Sequence, residues 1–204
     1  MRVLVKLVIL ALFLFAPALV LAEDLQKGLE AYETGDYETA LAQCLPLAEE
    51  GDAGAQFCVG RMYGNGFGVA MDDAEALKWY GLAAASGHAE AQFNLGVMYA
   101  NGWGVEMNDA EAAKYYRQAA ERGWACAQRS LAYVISRGIG TEENIREAYM
   151  WYYIAAQRGD TASFSNRDEL AEQLSEEDRA TAQDLAQKWI DNFDGEALQA
   201  GRIE

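Results

Sequence analysis

Proline is nearly absent: in 204 residues it occurs only at Pro17 and Pro46. Proline removes a backbone donor and clashes with the preceding helical turn, so little in this chain interrupts a helix. β-branched residues are sparse and alanine is abundant, a mixture that favours helix over strand. Histidine occurs once, at His88, and cysteine three times, at Cys44, Cys58 and Cys126. One imidazole and three scattered thiols give no ligand pair at metal-site spacing, so neither a metal site nor a cofactor is expected. Positive charge is scarce too. Lys and Arg number 16 against 32 Asp and Glu, a formal net charge of −16. Such a surface repels phosphate backbones and anionic lipid head groups, which argues against nucleic-acid binding.

One long uncharged run is present, Leu7 to Ala22, preceded by Arg2 and Lys6. Val20-Leu21-Ala22 places small residues at −3 and −1 of a cut before Glu23. Residues 1–22 therefore read as a secretory signal peptide, cleaved after Ala22. The run of 16 residues falls short of the ~20 that span a bilayer comfortably. Cleavage would leave 14 basic against 32 acidic residues, a net charge of −18, in a periplasmic or secreted protein. Only transient membrane contact, through the signal peptide, is expected.

The remainder is periodic. AGAQFCVGRMYGNGFGV begins at Ala53, AEAQFNLGVMYANGWGV at Ala89 and ACAQRSLAYVISRGIGT at Ala125, each 36 residues after the last. The second halves, DAEALKWYGLAAASG, DAEAAKYYRQAAERG and NIREAYMWYYIAAQRG, keep the same interval and close on Gly87, Gly123 and Gly159. Each copy reads as two helices. Ala55, Val59, Met62 and Tyr63 form the apolar face of the first, and Ala76, Trp79, Tyr80 and Ala83 that of the second. Gly66 and Gly68 stop the first helix, and Asp72 or Asp73 starts the second. Gly60 and Gly96 sit inside first helices, where a close crossing by a neighbouring helix would explain them. The Trp79, Tyr115, Trp151 stripe reads as core. A single hairpin cannot bury its apolar faces, whereas stacked copies can.

The boundaries follow: 53–88, 89–124 and 125–160 are repeats, and 23–52 is a divergent opening copy. Residues 161–204 form a helical cap and a frayed tail. Leu170, Leu174, Ala182, Leu185, Ala186 and Trp189 make the cap's apolar face, and Ser175 caps its second helix. The pattern A-x-A-Q-x-x-L-G-x-M-Y-x-N-G-x-G-V, then D-A-x-x-A-x-x-W/Y-Y-x-x-A-A-x-x-G, resembles the Sel1-like repeat, a relative of the tetratricopeptide repeat. The third copy departs at Ala132, Ile135 and Thr141. The resemblance implies an all-α, right-handed α-solenoid that serves as a protein–protein adaptor.

Candidate chemistry is thin. His88 follows a turn and has no Ser or Cys motif beside it, so it reads as a turn residue. The GNGFG at 64–68 follows a helix and lacks the Lys-Ser/Thr ending of a phosphate loop. Acid pairs such as Asp72-Asp73 and Glu142-Glu143 recur at helix starts, where carboxylates complement the dipole. No catalytic residue is assigned. Cys44 precedes Gly51 by seven residues and Cys58 follows it by seven, which places the two at similar height in an antiparallel hairpin. They are read as a disulfide, or else as two buried thiols, with Cys126 left over.

Two surfaces are candidates for an unidentified protein partner. Phe67, Trp103 and Ile139 lie between the paired turn glycines and would form an exposed apolar ridge. Phe57, Arg61, Phe93, Val97, Arg129 and Tyr133 lie opposite the core stripe of the first helices and would line a concave face. The sequence thus reads as a non-catalytic adaptor or regulator of the bacterial periplasm or cell envelope. The alternatives are a cell-wall-acting enzyme using acidic groove residues and a self-assembling envelope component.

Overall fold

The computed structural model describes residues 23–199, with side chains to residue 195. The signal-peptide segment, 1–22, lies outside the described residues. Every element among the described residues is a helix: α1 (23–34), α2 (Tyr37–Glu49), α3 (Ala53–Asn65), α4 (Asp73–Ala85), α5 (Ala89–Asn101), α6 (Asp109–Glu121), α7 (Ala125–Ser136), α8 (Ile145–Gln157), α9 (Ala162–Ala171) and α10 (Glu176–Gln199). The starts of α3, α5 and α7 keep the 36-residue interval. The chain divides after His88 into two compact units, one holding α1–α4 and the other α5–α10. Within each unit hairpin packs against hairpin, so the fold class is the all-α, helix-turn-helix solenoid class.

Local chemistry sets the helix ends. The Asp72 carboxylate accepts from the backbone N–H groups of Ala74 and Glu75, and Asn108 does the same for Ala110 and Glu111. Asn144 accepts from Glu147 N–H at 3.0 Å. These side chains satisfy donors that a helix start leaves orphaned. At the other end, Gly66 takes φ +68° and lets Phe67 N–H reach the Met62 carbonyl at 2.9 Å. Each interhelix loop then turns back: Asp72, Asn108 and Asn144 donate their N–H groups to the carbonyls of Tyr63, Tyr99 and Ile135.

The core of the first unit gathers Tyr32, Cys44, Leu47, Cys58, Val59, Met62 and Trp79. That of the second gathers Tyr116, Leu131, Ile135, Trp151, Tyr152 and Ile154. Tyr115 is half-buried at the edge. The helix-interior glycines are explained by close approach. A Cβ on Gly60 would lie 2.7 Å from the Tyr80 ring, and one on Gly96 would lie 2.6 Å from the Tyr116 ring.

The cap lies on α8. Trp151 and Trp189 meet edge to face at 5.6 Å, and Gln183 donates to the Tyr149 hydroxyl at 2.7 Å. Ser175 Oγ accepts from Asp178 N–H at 3.0 Å, the expected cap of α10. Two expectations need correction. Leu185 is 46% exposed, on the outer side of α10, while Ala182 and Ala186 face inward. Where a frayed tail was expected from about Gly195, α10 continues to Gln199.

Candidate partner-binding surface

The apolar ridge reduces to one residue. Trp103 is 50% exposed, with Met107 exposed further along the same loop. Phe67 instead stacks on Tyr37 at 4.6 Å and leans on Tyr32, so its loop closes over the opening hairpin. Ile139 folds back against the core of the second unit. Gly140 beside it lies so close to α6 that a Cβ would run into the Asp109 carbonyl. The slot between the two glycines packs on the preceding hairpin in these two copies. A turn position is not an exposed position when its loop lies on a neighbour.

The concave-face residues also divide. Phe57 is buried, stacked on His88 at 4.5 Å, which removes it as a docking side chain. Arg61 lays its guanidinium over the Tyr32 ring at 4.2 Å, a cation–π contact that fixes it in place. His88 is half-buried, and burial holds its pKa below the ordinary histidine value, partly opposed by the Asp52 charge. In the second unit Phe93 and Val97 are half-buried against the core.

Arg129 and Tyr133 behave differently. Together they line a groove along α7, made of two adjoining hollows of about 340 Å³ and about 310 Å³. Tyr133, 51% exposed, Tyr152 and Asn166 border both hollows. The first is mainly apolar, walled by Ala112, Tyr116, Val134 and Ile139. The second is polar and carries Arg137, Glu143 and Glu169. Asp160 holds Arg129 at 3.1 Å. Tyr152 is almost wholly buried, and burial pushes its phenol up to about 12. Its hydroxyl makes no hydrogen bond among the described residues, and neither does the Asn166 amide.

The groove is walled by the second copy, by α9 and by the third copy, which departs from the repeat pattern. Gly60 and Gly96 let Tyr80 and Tyr116 lie against the first helix. The third copy has Ala132 there, so it carries a Cβ where the other two copies have none. The departure at Ala132 was legible in the sequence; the unpartnered hydroxyl it accompanies was not. Sequence reasoning also passed over the Gln of A-x-A-Q. Buried Gln56 and Gln128 donate to the Ala48 and Ala120 carbonyls at 3.2 Å and tie successive hairpins together. The recurrence of a glutamine among apolar core positions was the available signal.

Cys44 and Cys58 are both buried, with Sγ atoms 2.8 Å apart as two thiols. The Cys44 thiol donates to Cys58, which pushes Cys44 up and Cys58 down; burial opposes the shift at Cys58 and Arg61 assists it. Cys126 is half-buried. Among the described residues no group of three His, Cys, Asp or Glu is placed to hold a metal ion. No helix among them is long and apolar enough to cross a membrane.

Residues 53–88, 89–124 and 127–160 match the Sel1 repeat family. The chain is similar to a solved Sel1 repeat protein from Oxalobacter formigenes, with 38% identity and a TM-score of 0.67 over 70% of this chain and 58% of that one. It is also similar to c5321, a protective antigen present in uropathogenic Escherichia coli strains that displays an SLR fold. There the identity is 30% and the TM-score 0.69, over 82% of this chain and 36% of that one. The chain thus spans less than two thirds of the length of either. No curated protein matches it.

Proposed function

Because the chain belongs to the Sel1 repeat family, we propose that it is a non-catalytic adaptor that binds another protein through its second unit. Sel1 repeats mediate protein–protein contacts, and that coarse role is the starting point. The observation that carries the reading is the α7 groove. Arg129 and exposed Tyr133 project from the repeat into a hollow whose polar members, the Tyr152 hydroxyl and the Asn166 amide, are unspent. Such a mix of apolar wall and a few convergent polar groups suits a ligand side chain and a peptide backbone. Residues 1–22 support export, which would set this adaptor in the periplasm or cell envelope.

The test is chemical crosslinking in intact cells, with captured species identified by mass spectrometry. The adaptor reading expects one dominant partner, retained with Trp103→Ala and reduced at least about tenfold with Arg129→Ala plus Tyr133→Ala. A partner lost only with Trp103→Ala would move the binding surface to the α5–α6 loop. Absence of a specific partner, together with turnover of cell-wall fragments by the purified protein, would replace the adaptor with an enzyme.

A further inference from the structure

We propose that the α7 groove takes an extended segment of the partner carrying a large apolar side chain flanked by lysine or arginine. The inference rests on the adaptor reading and names the chemistry of its partner. The apolar hollow, walled by Ala112, Tyr116, Val134 and Ile139, has the size of a side-chain pocket. The neighbouring polar hollow continues from it across Tyr133, Tyr152 and Asn166, so a single chain can lie over both.

Charge chooses between classes of segment. Asp160 already pairs with Arg129. Arg137 then stands against three carboxylates of the groove, Asp109, Glu143 and Glu169. None of these four makes an ion pair among the described residues. The groove therefore presents an excess of negative charge, in a chain whose net charge is −16. A basic segment is drawn to it at long range and matched at contact, whereas an acidic one is repelled on both scales.

The independent sign of a ligand is Tyr152. Its residue is 3% exposed, it borders both hollows, and its hydroxyl has no hydrogen-bond partner among the described residues. That hydroxyl is not sealed in the core but opens to the groove, where the protein gives it no partner. A peptide lying along α7 supplies it through a backbone carbonyl or N–H, and Asn166 offers both a donor and an acceptor to the same backbone.

Fluorescence anisotropy with the purified protein and labelled heptapeptides tests this. One peptide carries a central phenylalanine between lysines, the second a phenylalanine between glutamates, the third a serine between lysines. The lysine–phenylalanine peptide is expected to bind at least about tenfold more tightly than either of the others. Its affinity should fall several-fold between about 50 mM and about 500 mM salt. Glu143→Gln with Glu169→Gln should weaken it and narrow the gap to the glutamate peptide. Tyr152→Phe should cost roughly fivefold in affinity while leaving the unfolding midpoint in place, since the hydroxyl holds nothing in the free protein. Equal or tighter binding of the glutamate peptide would overturn the basic class. Equal binding of the serine peptide would overturn the apolar hollow as anchor. No binding of any peptide, with the groove-dependent partner still captured in cells, would overturn this inference and leave the adaptor standing. No binding and no captured partner would remove both.

Discussion

Gly96 and Gly81 both sit inside helices, yet alanine should act on them in opposite directions. In an exposed helix alanine is favoured over glycine by roughly 1 kcal/mol. A Cβ on Gly81 meets nothing within 4 Å, so Gly81→Ala should stabilise by about 0.5–1 kcal/mol. A Cβ on Gly96 would lie 2.6 Å from the Tyr116 ring and 3.2 Å from the Ala112 carbonyl. The ring must move out of a close-packed interior, at a cost of about 1–3 kcal/mol that outweighs the propensity gain. Urea unfolding of the two variants checks the pair, and a stabilised Gly96→Ala would refute the close-crossing account. The sequence made this crossing legible, because glycine recurs at an otherwise apolar helical position. It did not make the fate of Phe67 legible. That ring stacks on Tyr37, thirty residues earlier, and no local pattern announces a contact set by how one loop drapes over the previous hairpin.

At the scale of elements, α2 and α3 are tied in two ways. Gln56 donates to the Ala48 carbonyl, and Cys44 meets Cys58 at 2.8 Å. Exposure to an oxidant should convert these thiols to a disulfide. Thiol titration of the unfolded, oxidised protein should then find one thiol, Cys126, where the reduced protein shows three. Closing a loop of about 15 residues should raise stability by roughly 3 kcal/mol, and Cys44→Ser should abolish the gain. Three thiols after oxidation would leave the pair as buried apolar contacts only. The symmetric spacing about Gly51 foretold the meeting of these side chains, since an antiparallel hairpin brings equal offsets together. In the cap, by contrast, helical spacing alone put Leu185 on the apolar face. α8 contacts a narrower stripe of α10, running through Ala182, Ala186 and Trp189, and Leu185 turns outward.

For the whole molecule, the repeat interval sets the fold, and the groove lies where the second copy, the third copy and α9 meet. Three near-identical copies would offer three near-identical surfaces. The third differs at Ala132, and it alone among the copies is followed by α9, which supplies Asn166, Glu169 and Leu170 to the groove walls. The repeat pattern could therefore be read from sequence, while the groove required knowing which face α9 covers. The net charge, evident from composition, gains meaning only once unpaired carboxylates are found in one place. The most direct measurement is site-resolved photo-crosslinking in intact cells, with a benzophenone side chain placed in turn at 133, 103 and 185. The account predicts that position 133 captures one partner in high yield, that 103 captures it weakly, and that 185, on the outer face of α10, does not. Equal capture from 133 and 185, or capture from 103 alone, would contradict the assignment of partner binding to the α7 groove.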